Sequence, residues 1–194
     1  MAYDAALNAA VVAWARRQPA GTRHGNGQCW TLAESAVTQS GGVSSRPLTP
    51  GFGPGVAYVW GDTETNRGNF QPGDIIQFIS HTQSMTTRIV DHLSGPQGRT
   101  DVGPSISRIH HTAIILRVII PGQLLEIMEQ NLRRPPIFGV TQVPTLIQIN
   151  KLALSTVTTP PQTTFNSSGD RETRTEIFNV TESRVNIYHP RRRP

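Results

Sequence analysis

Hydrophobic positions along this chain change their period once. From Asp4 to Gln18 they recur at helical spacing, with Leu7, Val11 and Trp14 on one stripe of an alanine-rich segment that Pro19 ends. A second helical pattern runs from about Gln28 to Gln39, carries Trp30, Ala33 and Val37, and stops at Gly41-Gly42. Asn26 is its expected N-cap. Beyond it the helical period is gone. Ser44 to Gly55, rich in Pro, Gly and Ser, predicts a surface loop, and Val56–Trp60 is a short apolar run closed by Gly61-Asp62. The turn Gln71-Pro72-Gly73-Asp74 then feeds Ile75–Ile79, a buried strand by composition, with Asp74 expected to cap local N–H groups.

Thr86–Leu93 and Ile106–His110 read as further strands around a Gly/Pro-rich bend at Gly95–Pro104. His111–Ile120 is the strongest strand signal, and Pro121-Gly122 folds it back onto Gln123–Asn131 as an antiparallel hairpin. After Pro135-Pro136 the pattern weakens. Val140–Leu154 reads as a strand pair, Ser155–Arg174 as an exposed Thr-, Pro- and Ser-rich excursion, and Thr175–Val180 and Arg184–Tyr188 as strands. No internal repeat is visible. Helices first and antiparallel strands after them make an α+β protein.

A length of 194 residues suits one domain spanning 1–194, with its core over about 3–150 and 175–190, an exposed insertion at 155–174 and a basic tail at 191–194. No apolar run approaches membrane-spanning length. The N-terminus lacks the layout of a signal peptide, since Asp4 comes early and Arg16-Arg17 follow the apolar part. The expectation is a soluble protein, cytoplasmic or released without a classical signal. A single cysteine excludes an internal disulfide framework and a cysteine-rich zinc site, and no metal or cofactor is expected. The net charge of +5 comes from 18 Lys and Arg set against 13 Asp and Glu, so acids are spread among the bases. Arg191-Arg192-Arg193 reads as a solvated tail. No basic stripe with interleaved aromatics points to nucleic acid as a partner. Asn166-Ser167-Ser168 and Asn179-Val180-Thr181 match the glycosylation pattern, and without a signal peptide both read as chance matches.

Candidate chemistry starts at Cys29, where the loop Gly25–Gln28 gives way to the second helix. In a first helical turn, free backbone N–H groups and the helix dipole favour a thiolate. Thiol catalysis needs in addition an imidazole to hold the proton and a polar group to orient it. His111 opens the central strand and Glu129-Gln130-Asn131 ends the next one. Register decides whether they meet. If Asn131 pairs with Thr112, its side chain points away from His111. If Asn131 pairs with Ala113 and Glu129 with Ile115, all share the His111 face; a one-residue slip inverts every side chain. The functional reading requires the second register, or a bulge. Each residue also has a plain alternative: Cys29 as a core residue beside Trp30, His111 as a strand end next to His110, and Glu129 with Asn131 as a polar pair facing solvent.

Taken in order, Cys29-Trp30, Pro72-Gly73-Asp74, His111-Thr112-Ala113 and Glu129-Gln130-Asn131 resemble the CHAP amidases, which with the NlpC/P60 enzymes belong to the papain-like cysteine peptidase superfamily. Tyr58–Asp62, Gln71–Phe78, His110–Ala113 and Ile187–Pro190 are similar to the cysteine-proteinase-fold domain at the C-terminus of fungal actin-patch, myosin-tail-interacting proteins. The resemblance implies a papain-like fold with N-terminal helices packed on an antiparallel sheet. It implies Cys29 as nucleophile, His111 as general base and acid, Glu129 as the orienting group, and Asn131 assisting it or helping to bind the oxyanion. The activity so implied is a thiol-dependent hydrolase of an amide or peptide bond, acting on a peptide or peptidoglycan-like substrate. The alternative is a papain-fold binding module that docks onto a protein partner or larger assembly without chemistry.

Overall fold

The structure is a computed structural model and describes residues 3–53, 55–92, 97–132, 146–166 and 168–194. Helix α1 (Ala5–Arg16) starts where the Asp4 carboxylate accepts the Leu7 N–H at 2.9 Å. Helix α2 (Cys29–Gln39) follows, then the short α3 (Ser45–Leu48). The rest of the described chain is built on one sheet of nine strands: β1 (Gly61–Glu64), β2 (Ile75–Asp91), β3 (Gln97–Val102), β4 (Ile106–Ile120), β5 (Leu124–Gln130), β6 (Ile147–Ala153), β7 (Val157–Thr158), β8 (Gln162–Phe165) and β9 (Arg171–Pro190). Its order is β1-β9-β2-β4-β5-β6, with β3 on β2 and β7 and β8 on β9, every pair antiparallel.

Two apolar layers sandwich the sheet. On one face Leu7, Val11, Leu32, Ala36 and Val37 of the helices bury against Ile75, Ile114 and Met128. On the other, Phe78, Ala113, Ile115 and Ile127 meet Leu152 of β6 and Ile187 of β9. Strands far apart in the order thus share one core, because the sheet curls. Gln83 of β2 closes the curl: its amide donates to Lys151 O (2.8 Å) and accepts from Ala153 N (2.9 Å), so the outer edge of β6 is hydrogen-bonded rather than bare. The turn before β2 is pressed against α1. Gly73 has φ +93°, and a Cβ there would lie 2.4 Å from the Asn8 carbonyl oxygen, so only glycine fits.

Several segments differ from the expectation, mostly through merging. Ile75–Ile79 and Thr86–Leu93 fall largely within one 17-residue strand, and Thr175–Val180 with Arg184–Tyr188 in one of 20. Likewise Ile106–His110 and His111–Ile120 form one strand. Polar residues interrupt the apolar runs without ending them, since ladder pairing to a neighbouring strand continues across each interruption. The bend expected at Gly95–Pro104 contains strand β3, paired with the outer half of β2; residues 93–96 lie outside the described residues. Of the strand pair expected over Val140–Leu154, positions 140–145 lie outside them too, and β6 occupies the remainder. The Ser155–Arg174 segment is largely exposed, yet β7 and β8 tie it to β9. Ser167 of the first glycosylation match lies outside the described residues.

The arginine run is not a free tail. Arg191 pairs with Asp62, Arg192 with Asp4, and Arg193 donates to the Gly42 carbonyl. Among the described residues no helix is long and apolar enough to cross a membrane.

Candidate functional site

Cys29 is the first residue of α2. Gln28, not Asn26, holds the N-cap position and makes no side-chain cap bond; the Asn26 side-chain Oδ1 instead accepts the Gln28 N–H at 3.0 Å and braces the loop. The half-buried thiol therefore sits at the positive end of the helix, and the N–H groups of Trp30 and Thr112 donate to it. The approach to it is clamped by Gln130. That fully buried amide accepts the His24 N–H (2.7 Å) and donates to the carbonyls of His24 (3.1 Å) and Gln28 (3.2 Å).

His111 reaches the thiol from β4. Its ring hydrogen-bonds Cys29 and packs beside Phe78, with ring centroids 5.8 Å apart. Gln77 fixes the local strand, donating to the His111 carbonyl (3.1 Å) and accepting the Thr112 hydroxyl (2.9 Å). One residue earlier the strand kinks. His110 has φ +46°, and the Ile79–His110 step is missing from the β2–β4 ladder. Alternation breaks there, so Arg108 is buried with His111 although they stand an odd number of positions, three, apart.

Glu129 arrives from β5, and its register answers the question the sequence left open. Ile120 faces Leu124 at the turn, Val118 faces Leu125 after one shift, and Ile115 faces Ile127 after a second. Two single-residue shifts restore the original face, so Glu129 pairs with Ala113, on the His111 side. It sits closer to His111 than the expected pairing with Ile115 would have put it. Its carboxylate is fully buried and fully engaged. Arg108 Nε and Nη2 donate at 2.8 and 2.7 Å, and Asn150 Nδ2 at 2.8 Å. His111 Nε2 lies 3.0 Å from Oε2, an ion-pair contact off the line of a hydrogen bond.

Asn131 does not join this group. Just past the end of β5, with φ +65°, it turns out of the ladder and donates to Gln28 Oε1 at 3.0 Å. Glu129, Gln130 and Asn131 thus brace three different things: the imidazole, the loop before the thiol, and the Gln28 side chain. Sequence reasoning missed Gln130, Arg108, Gln77 and Asn150. Of these only Gln130 carried a signal, by its place between two candidates.

The electrostatics are those of a coupled pair. Burial pushes the Cys29 thiol up, but the hydrogen bond and charge of His111, with the Thr112 and Trp30 N–H groups, outweigh it and leave the thiol below its ordinary value. Burial pulls His111 down, while Cys29 and Glu129 together raise it to about 9. Burial alone would raise Glu129; Arg108 foremost, then His111, hold its carboxyl well below the usual carboxylate range. Both shifts favour the charged form of their group, the thiolate of Cys29 and the imidazolium of His111.

Cys29 and His111 line a cleft of about 760 Å³ together with Ser105, Ser107 and Asn131. A hollow of about 420 Å³, walled by Trp30, Phe52 and Tyr58, opens on the other side of Cys29. Among the described residues, none of the 155–174 segment lines either. Nor is any group of three or more His, Cys, Asp or Glu among them arranged to hold a metal ion.

No curated protein and no solved structure matches the chain. Residues 1–147, which include every residue of the cluster except Asn150, match the family described as the AIM3/BBC1 cysteine proteinase-fold domain. With its helices on a large antiparallel sheet, the chain belongs to that family and, through it, to the papain-like superfamily of the CHAP and NlpC/P60 kind.

Proposed function

We propose that the domain performs thiol-dependent acyl chemistry, hydrolysing an amide or peptide bond, with Cys29 as nucleophile. The observation carrying this reading is the hydrogen-bonded Cys29–His111 pair at a helix N-terminus, open to a cleft and backed by a buried carboxylate. In the first half-reaction the Cys29 sulfur attacks the carbonyl carbon and forms a C–S bond. The tetrahedral oxyanion develops beside the Cys29 N–H, one of the first-turn donors without an intrahelical acceptor. Collapse breaks the C–N bond, and the proton held by His111 leaves with the amine. In the second, His111 takes a proton from water, the resulting hydroxyl adds to the thioester, the C–S bond breaks and the pair is restored. With Nε2 turned to Glu129, Nδ1 is the ring nitrogen left to carry the travelling proton. Glu129 keeps the imidazole oriented and charged. Asn131 acts at one remove, through Gln28.

A second reading is a papain-fold module that docks onto a larger protein assembly without performing chemistry. The comparisons favour it to this extent: they name a fold and no reaction. Glu129 also has a structural task as the only described counter-ion of buried Arg108, so its presence does not require catalysis.

Reaction with p-nitrophenyl acetate separates the two. The enzyme reading expects a burst of about one equivalent of p-nitrophenolate, a thioester on Cys29 by mass spectrometry, and slow turnover that Cys29→Ala abolishes. Acylation no faster than that of an unfolded cysteine, with no turnover, would leave the docking module.

A further inference from the structure

The hollow beside Cys29 is a built site with an unpaired cation in it. The Arg46 guanidinium carbon lies 4.8 Å from the ring centroids of both Trp30 and Phe52. Those walls are themselves held. Trp30 Nε1 donates to Ser45 Oγ (2.8 Å), and Ser45 in turn donates through N (3.1 Å) and Oγ (3.0 Å) to Glu34 Oε2. Ser45 is fully buried, and the Tyr58 hydroxyl donates to the Gly53 carbonyl at 3.2 Å. Glu34, the carboxylate nearest in sequence, is thus turned to Ser45. Among the described residues Arg46 has no ion-pair partner, although thirteen acidic residues were available to the fold. The described lining of the hollow and of the cleft contains no Asp or Glu at all, and His110 lies on the wall shared by both.

We infer that this hollow is a specificity subsite for an acidic side chain, of Glu or Asp type, next to the carbonyl that Cys29 attacks. The aromatic rings hold the guanidinium plane and provide apolar walls for the methylene stem. The donor edge of Arg46 is left for a carboxylate, which a planar fork binds in preference to a neutral amide. This inference rests on the thiol reading and adds to it the class of residue recognised.

The test uses two thiol alkylators that differ by one charge, bromoacetyl-glutamic acid α-amide and bromoacetyl-glutamine α-amide. Each rate at Cys29 is divided by the iodoacetamide rate of the same variant, which removes differences in thiol reactivity. The wild type is expected to favour the glutamate reagent by about three- to tenfold, the scale of one charge-assisted contact at a partly exposed site. R46K should keep part of that preference, R46Q should lose it, and R46E should invert it; thermal melts establish that each variant is folded. R117Q, at an exposed ion pair with Glu126 on β4 well along from the site, should keep the wild-type preference. An unchanged preference in folded R46Q overturns the subsite. A slow, ordinary thiol with the preference intact would instead sink the thiol reading and leave an anion site, so the two failures are distinguishable.

Discussion

Two histidines among the described residues sit against carboxylates, and one of them keeps a ring nitrogen for a thiol. His189, near the end of β9, has both ring nitrogens committed: Nδ1 lies 2.7 Å from Asp74 Oδ1 and Nε2 3.2 Å from Glu64 Oε2. Asp74 is fully buried and bound as well by Asn8 Nδ2 (2.7 Å) and Gln71 N (2.8 Å), so the group ties β9 to β1, α1 and the turn before β2. His111 gives one nitrogen to Glu129 and keeps the other for a thiol that opens on a cleft. Both imidazoles are pushed above their ordinary value by their partners. The difference is therefore not in the shift. A strut uses every donor it has, whereas the proton carrier proposed for His111 has to leave one pointing at something that can react.

The largest effect should come from the carboxylate behind His111. Glu129→Gln leaves Arg108 charged, buried and without its counter-ion, and should cost about 3–5 kcal/mol in urea unfolding. Replacing both partners, as Arg108→Met with Glu129→Leu, should recover most of that stability while the thiol loses its support. A loss below about 1 kcal/mol in the single variant would show that the pair is not buried as described.

At the other histidine the effect should be smaller and confined to stability. His189→Gln is expected to cost about 1–3 kcal/mol near neutrality, as a partly buried ionic contact does, with Cys29 alkylation unchanged. The pH dependence has a definite sign. Burial lowers His189, but Asp74 and Glu64 raise its folded-state pKa above the ordinary value of 6.5. Its contribution is complete below that ordinary value and fades as pH rises through the folded-state one. The stability gap between wild type and His189→Gln should accordingly narrow from pH 6 to pH 9. A gap that widens would reverse the assignment. If instead the substitution slowed Cys29, the two regions would not be separate.

The smallest effect lies in the backbone of the cleft. His110→Gly should change stability by no more than about 0.5 kcal/mol, since relief of the left-handed conformation offsets the added freedom of the unfolded chain. His110→Val should cost about 1–3 kcal/mol, because a β-branched residue tolerates φ +46° poorly. Equal stability of the two variants would deny the kink.

Much of the architecture was legible because it depends on local pattern. The stripe Leu7, Val11, Trp14 and the β-branched run Thr112–Ile120 each name a partner surface without naming the partner. Cys29, His111 and Glu129 could be singled out by type and order, and a shared face, through pairing of Glu129 with Ile115 or through a bulge, could be posed as a condition; the two-shift register that unites them is a different solution. That register could not be solved, because each shift is a local irregularity within β4 and β5. Arg108 was invisible for a related reason: strict alternation places it on the opposite face from His111, and only the break at His110 moves it. The docked arginines 191–193 were misread because their partners Asp62, Asp4 and the Gly42 carbonyl are more than a hundred residues away.

The most direct test of the central claim is the pH dependence of Cys29 alkylation by iodoacetamide, in wild type and in His111→Ala. A free cysteine titrates near 8.5. The account predicts a wild-type midpoint clearly below that value, with the paired proton on His111 retained until about pH 9. In His111→Ala the midpoint should rise to the free value or above it, since burial then acts on the thiol without its counter-ion. Midpoints at or above 8.5 in both proteins would mean that Cys29 and His111 do not share a proton, and the thiol reading would fall.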